Sequence, residues 1–424
     1  MTPSSLAALQ RQRRVLLLQG PMGPFFSKLA DFLRGNGADV FKLNFNGGDR
    51  LYYPAGEDFV DDPRALTAEL HRRVDRDRID AIALFGQSRP IHKVAIEAAK
   101  ELGIEIYVFE EGYLRPNFIT LERGGVNALS LMPRDDAYYR ARVGEHLPKT
   151  HSAGQTFWRT AAIAMLYAIA RHLHRSRYPK EQFHRDLHPL REGLRWLRGG
   201  LRKVLHSVTE RNVLWRLCRS EQRFFLLALQ VHNDAQIQHH SPFDDVHDVI
   251  AHTIESFATC APKDAALVIK HHPMDRAYRH YGAYIQEQAR KHGVADRVIS
   301  LHDVHLPTLL RLSRGLVTVN STTGLQSLHH GTPVFLLGEA HYNIPGLVHQ
   351  GDLPSFWLHP DPVDPGLYRA YRKILMRTSQ INASFYADTP ALNKAGASRT
   401  LQLHTTAPKP ARPAATQTNE RLRA

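Results

Sequence analysis

Cysteine is almost missing from this chain: Cys218 and Cys260 are the only two among 424 residues. A disulfide framework is excluded, neither a CxxC pair nor a zinc-finger spacing can be assembled, and a reducing cytoplasm is the expected setting. Long apolar runs are missing as well. The most apolar stretch, Ala161 to Ala170, is about ten residues, roughly half of what a membrane span needs. The apolar run after Arg11, Arg13 and Arg14 is only Val15 to Leu18, too short for the hydrophobic region of a signal peptide. An integral membrane protein is therefore not expected. A GxGxxG fingerprint is also absent: the first apolar run leads into Gln19-Gly-Pro-Met-Gly-Pro-Phe-Phe26, so a tightly held dinucleotide is not expected. Acidic residues are outnumbered, with 41 Asp and Glu against 55 Lys and Arg, a net charge of +14 beside 26 histidines. That balance favours anionic partners: nucleic acid, phosphorylated metabolites or an acidic membrane face.

What is present is an ordinary globular composition, 43% hydrophobic and 23% charged, long enough for two large domains. The first third alternates buried-strand and helix patterns. Arg14 to Gln19, Asp39 to Asn44, Ile79 to Phe85 and Ile104 to Phe109 read as strands; Phe25 to Arg34 and His92 to Leu102 read as helices. Such alternation implies a parallel sheet covered on both faces, so residues 1–150 form a doubly wound domain. A basic region, 151–223, follows. Between Arg159 and Arg223 stand 15 Lys and Arg against five Asp and Glu. Leu194, Leu197, Leu201 and Leu205 recur there at helical spacing, which predicts amphipathic helices with basic faces. Such helices either lie on an anionic membrane surface or pack their apolar face on the sheet domains. A second β/α series fills 224–392. Its strands are Ala265 to Lys270, Arg297 to Leu301, Gly315 to Asn320 and Pro333 to Leu337; its helices are Asp275 to His292, Leu306 to Leu312 and Ser321 to His330. Residues 393–424 lack periodicity and are expected to be a disordered tail.

Two doubly wound lobes create a cleft at the carboxyl ends of their strands, where open α/β folds bind ligands. The candidate residues lie there. Gln19 and Gly20 end the first strand, and Phe45-Asn-Gly-Gly-Asp49 ends the second, offering Asn46 and Asp49. Glu110 and Glu111, with Arg115 close behind, follow the strand at 104–109; adjacent carboxylates after a buried strand are costly unless paired or used. Asp234, the lone acid of Gln230 to Gln238, suits a nucleophile or a helix cap, and Gln236 stands beside it. Lys270-His271-His272-Pro273 puts cationic groups at a strand end. Asn320-Ser321-Thr322-Thr323-Gly324 opens a helix, offering hydroxyls and free N–H groups to a phosphate. Asp75 and Asp77 form a DxD triplet inside a charged helix, and His239-His240 and His271-His272 are adjacent pairs that do not share a helix face. No required metal is expected.

Together, Leu17-Leu18-Gln19-Gly-Pro21, Phe45 to Asp49, Glu110 to Pro116, Lys270 to Pro273 and Asn320 to Gly324 resemble the capsule polysaccharide biosynthesis and export family of Gram-negative bacteria, of the KpsS and LipB type. The match runs in order over roughly residues 14–390. The resemblance implies a GT-B-like fold of two Rossmann-type lobes facing a central cleft, and a retaining β-Kdo transferase. Its donor would be CMP-β-Kdo, used as substrate with no resident cofactor. Its acceptor would be a phosphatidylglycerol-type lipid at the cytoplasmic face of the inner membrane, where the chain would sit peripherally and start a poly-Kdo linker. A second Kdo transferase and the capsule ABC exporter are partners the resemblance allows. Position by position, His272-Pro273 matches a motif that contacts the CMP moiety, Ser321, Thr322 and Thr323 the phosphate binders, and Asp234 the nucleophile. Glu110 or Glu111 would be the acid/base, the other pairing with Arg115. Three alternatives stand beside this: a CDP-polyol phosphotransferase, a non-enzymatic glycolipid-export scaffold and, ranked last, a nucleic-acid-binding protein, for which the strand-end motifs have no purpose.

Overall fold

A computed structural model of the chain describes residues 3–142, 150–154, 156–181, 188–219, 224–387, 389 and 392. The expected tail at 393–424 lies outside these.

The first sheet is built from β1 (Arg14–Leu17), β2 (Asp39–Asn44), β3 (Glu57–Asp58), β4 (Ala81–Phe85), β5 (Glu105–Glu111) and β6 (Ile119–Arg123). Along it, Val15 and Leu17 face one apolar cluster while Leu16 and Leu18 face another. The period of two means that both faces are buried, as a helix-covered parallel sheet requires. The second sheet contains β7 (Phe224–Ala228), β8 (Ala266–Lys270), β9 (Val298–Leu301), β10 (Gly315–Thr318) and β11 (Val334–Leu336), all parallel, in the order β11-β10-β7-β8-β9. Phe224 and Leu226 enter one core cluster, Phe225 and Leu227 the other. The molecule is thus a GT-B-like pair of doubly wound α/β lobes.

Two expectations are corrected, and one strand is added. The boundary at 392 is too late: β12 (Gln380–Ile381) returns to the first sheet and pairs antiparallel with β6, giving the order β12-β6-β5-β4-β1-β2-β3. Phe385 follows it into the first lobe, its ring 4.9 Å from that of Phe25. The antiparallel β6 was not visible as a strand, because Ile119-Thr-Leu-Glu-Arg123 is short and ends in charge. Residues 275–292 are not one helix but a 3-10 turn, Pro273–Ala277, and a helix, Gly282–Lys291. Asp275, 1% exposed, is drawn inward and ties down the turn.

Among the described residues the basic region holds three helices, the last of them the short Arg211–Arg219. The first, Phe157–Leu173, packs Tyr167, Ala168 and Ala170 against the helix Gly47–Tyr52 and leaves Phe157, Trp158, Leu166 and Leu173 exposed. The second, Pro189–Thr209, is inverted. Its polar stripe faces the second lobe: Glu192 accepts from the Tyr278 hydroxyl (2.7 Å), the Arg195 guanidinium lies 5.1 Å from the Tyr278 ring, and Arg202 donates to the Arg276 carbonyl (2.9 Å). Its apolar stripe of Leu190, Leu194, Leu197, Leu201, Val204 and Val208 is exposed, Leu197 at 64% and Leu201 at 67%. Of the two sequence readings of this region, packing of the apolar face on the sheets is therefore not what occurs in this helix. Among the described residues no helix is long and apolar enough to cross a membrane.

Candidate active site

Parallel strands deliver their following loops to one edge, so the central strands of each sheet bring the sequence candidates together. In the second lobe the loops after β10, β7 and β8 are neighbours. Gln230 is the hub. Its side-chain amide donates to Asp234 Oδ2 (2.8 Å) and Asn320 Oδ1 (3.1 Å), and its Oε1 accepts from the Asn320 backbone N–H (3.1 Å). Asn320 Nδ2 in turn donates to the Gln236 carbonyl (3.2 Å). Asp234 is half-buried and also caps the helix Ala235–His240, accepting from Gln236 N at 3.0 Å. The two sequence readings of Asp234, cap and reactive carboxylate, are compatible, because each oxygen keeps a lone pair beyond these bonds.

The loop after β8 divides its residues. His272 accepts from Met274 N at 3.2 Å and caps the turn that Pro273 opens. Lys270 and His271 instead point inward and are buried. The Lys270 ammonium reaches the His302 carbonyl (3.1 Å), and His271, 3% exposed, contacts Ser300 Oγ through Nε2 (2.9 Å). Burial lowers the Lys270 pKa and drives that of His271 down to about 2. In the loop after β10, Ser321, Thr322 and Thr323 stay half-exposed, with Ser321 Oγ accepting from Thr323 N at 3.2 Å. Gly324 is required for space: a Cβ there would lie 2.2 Å from the Tyr342 hydroxyl.

In the first lobe the central residue is one the sequence reading missed. Arg89, after β4, donates through Nη1 to Gln19 Oε1 (2.8 Å) and the Gly20 carbonyl (3.3 Å). Its signal was available, since Gly86-Gln-Ser-Arg-Pro90 joins a strand to a helix as the other candidate loops do. Glu110, at the end of the neighbouring β5, is pushed up to about 7 by burial, against the pull of Arg89 and Arg115; its Oε1 accepts from Glu111 N at 3.0 Å. Strand alternation turns Glu110 and Glu111 to opposite faces, and Glu110 is the one whose pKa is coupled to Arg89. Arg115 is exposed, donating to the Gly112 carbonyl (3.3 Å).

Asn46 and Asp49 do something else. Asn46 caps the helix Gly47–Tyr52, and Asp49 accepts from Phe45 N (3.0 Å), Gln19 Nε2 (3.2 Å) and the Tyr167 hydroxyl (2.8 Å). A Cβ on Gly48 would meet the Tyr167 ring at 2.6 Å, and one on Gly47 the Ala170 carbonyl at 2.4 Å. The motif is a seat for the first basic-region helix rather than an open substrate loop.

The edges face each other. Lys93, on the helix after the Arg89 loop, meets His239 Nε2 at 2.8 Å from the helix after Asp234. Burial and Lys93 lower the His239 pKa, which leaves the imidazole neutral to accept. A second unforeseen pair lies beside Asp234. His232 contacts Asp275 through its backbone N–H (2.9 Å) and Nδ1 (2.5 Å), and its ring stacks on Tyr278. An imidazole held by a buried carboxylate is oriented to accept or give a proton at its other nitrogen.

The sequence matches the family described as Capsule polysaccharide biosynthesis protein over residues 80–386. It is 40% identical over 396 residues to the capsule polysaccharide export protein KpsS of Escherichia coli, covering 91% of this chain and 100% of that one. It is 37% identical to the capsule polysaccharide modification protein LipB of Neisseria meningitidis serogroup A, covering 91% and 94%. A solved structure of Thermosulfurimonas dismutans KpsC, β-Kdo 2,7 transferase, aligns over 84% of this chain and 88% of that one at TM-score 0.38 and 12% identity, a level at which no residue role is transferred.

Proposed function

This chain belongs to the capsule polysaccharide biosynthesis protein family, and from that premise we propose that it is a retaining glycosyltransferase that moves Kdo from CMP-β-Kdo to a phosphatidylglycerol-type lipid. The observation that carries the reading is a strand-end carboxyl group in each lobe: Asp234 in the second, hydrogen-bonded to Gln230, and Glu110 in the first, its pKa raised by burial to about 7. Retention by double displacement needs two carboxylates with separate tasks. Asp234 attacks the anomeric carbon, forming a covalent sugar ester as the bond to the CMP phosphate breaks. Glu110 then takes the proton of the acceptor hydroxyl while that oxygen displaces Asp234. A base with a pKa close to working pH is both available and strong enough for this. The His272-Pro273 turn and the hydroxyls of Ser321 to Thr323 supply contacts for the cytidylyl and phosphate groups.

The lipid acceptor and a peripheral position on an anionic inner-membrane face are supported by the outward apolar stripe at 190–208. Exposed Arg191, Arg198 and Lys203 flank it, where headgroups would lie.

A transfer assay with CMP-Kdo generated in situ and a fluorescent phosphatidylglycerol analogue, read by mass spectrometry, tests the proposal. One Kdo mass is expected, lost in Asp234→Ala and reduced by about 10²–10⁴ in Glu110→Gln. The His232–Asp275 pair favours one rival, a CDP-polyol phosphotransferase, which needs a base but no carboxylate nucleophile. Transfer from a CDP-polyol that survives Asp234→Ala and is lost in His232→Ala would replace the Kdo reading.

A further inference from the structure

The inverted helix Pro189–Thr209 meets the second lobe at a cluster of histidines outside the cleft. His206 and Glu210 are four residues apart and share its inward side; His302 follows β9. One donor atom of each lies within 4.8 Å of the others. His302 Nδ1 contacts Glu210 Oε1 at 2.7 Å, and His206 Nδ1 lies 3.6 Å from the same oxygen. The rings of His206 and His271 stack on His302 at 3.9 and 4.0 Å, and that of His280 lies 5.0 Å away.

Two nitrogens in this cluster are buried without a hydrogen-bond partner among the described residues: His302 Nε2 and His271 Nδ1. Unpaired buried polar atoms call for an explanation. Because His302 Nδ1–H is directed at Glu210, its Nε2 carries the lone pair, and a carboxylate behind an imidazole is the arrangement that orients a metal-bound histidine. The donor set of imidazole nitrogens and one carboxylate suits zinc or a neighbouring divalent transition metal.

We propose that His206 and His302, with Glu210 as ligand or orienting carboxylate and His271 as a further nitrogen, form a transition-metal site that clips the basic helix to the second lobe. The ion would fix His271, and through it the adjoining His272-Pro273 turn, without taking part in transfer.

The test uses the full chain without a histidine tag, stripped with chelator and titrated with Zn²⁺ alone, then with Co²⁺ for its visible spectrum. One tight equivalent is expected, with a Co²⁺ band of tetrahedral nitrogen and oxygen coordination and a raised Tm. His206→Ala and His302→Ala lose all three, Glu210→Gln weakens binding about 10–100-fold, and exposed His359→Ala changes nothing. Should His302→Ala not fold, His206→Ala decides, since that ring lies on a helix surface. Only weak, multiple equivalents in the wild type, or tight binding unaffected by His206→Ala in a folded variant, would overturn the site.

Discussion

The adjacent acids Glu110 and Glu111 differ only in the face of β5 they occupy, and that decides their chemistry. Glu110 lies beside Arg89, and loss of hydration raises its pKa to about 7. If it is the base for the acceptor, kcat/KM should rise with pH up to about 7 and then level off, and Glu110→Gln should abolish that limb; an unchanged profile in the variant would remove Glu110 from the mechanism. A second buried acid gives a stability prediction. Glu122, 5% exposed, is pushed to about 7 by burial, with hydroxyls of Ser130, Tyr113 and Ser379 pulling the other way. The folded state keeps this proton up to about 7, while the unfolded state releases it near 4.5. Stability from this group is therefore lost as pH rises between those values, by up to roughly 3 kcal/mol at about 1.4 kcal/mol per pH unit. Glu122→Gln should match the wild type in urea midpoint at pH 5 and exceed it at pH 8; equal midpoints at both would contradict the burial argument. At this scale the sequence placed Asp234, His272 and the Ser321 to Thr323 hydroxyls at strand ends, where the structure leaves them half-exposed. It misread Lys270 and His271, because side-chain direction just past a doubly buried strand depends on what fills the space beneath.

Among the elements, the glycine pair Gly47-Gly48 lets the helix Phe157–Leu173 approach the first lobe closely. Gly48→Ala would drive a methyl into the Tyr167 ring and should destabilise by about 1–3 kcal/mol, read as a lower urea midpoint; an unchanged midpoint would mean that the helix is not seated there. The inverted helix gives the opposite prediction. Leu197→Glu with Leu201→Glu should leave Tm unchanged, because both side chains are exposed. Yet the pair should weaken binding to phosphatidylglycerol vesicles at least about tenfold, since each loses about 1.5–3 kcal/mol of apolar burial. Salt should loosen this binding only in part, with the basic flanks screened and the apolar stripe still inserted. Equal binding to neutral vesicles would remove the flanks from the account. The periodicity of Leu194, Leu197, Leu201 and Leu205 was legible beforehand, but a hydrophobic stripe does not state which way it faces. The polar stripe won the protein side because Glu192, Arg202 and Glu210 find specific partners on the lobe.

Across the whole molecule, the lobes are joined where the chain passes between them. His341, driven to about 3 by burial, stacks on Tyr113 at 4.1 Å and shares a 2.6 Å hydrogen bond with Tyr371. Gln380 Oε1 accepts from the backbone of Tyr113 at 3.0 Å. Ending the chain at Ser379 would remove β12 and Phe385 from the first lobe and should lower Tm sharply, whereas ending it at Thr400 should not; similar Tm values for the two truncations would show that the returning segment carries no stability. The sequence by itself determined the two doubly wound lobes, the edge on which their loops gather and the family, because strand and helix periodicity and short ordered motifs are local properties of the chain. Only the tertiary structure decided that residues 380–387 belong to the first lobe, that Arg89 stands behind Glu110, that His232 rests on Asp275 and that the basic helix turns its leucines outward. Each depends on contacts between segments far apart in sequence, and no local pattern encodes which buried partner a side chain will meet.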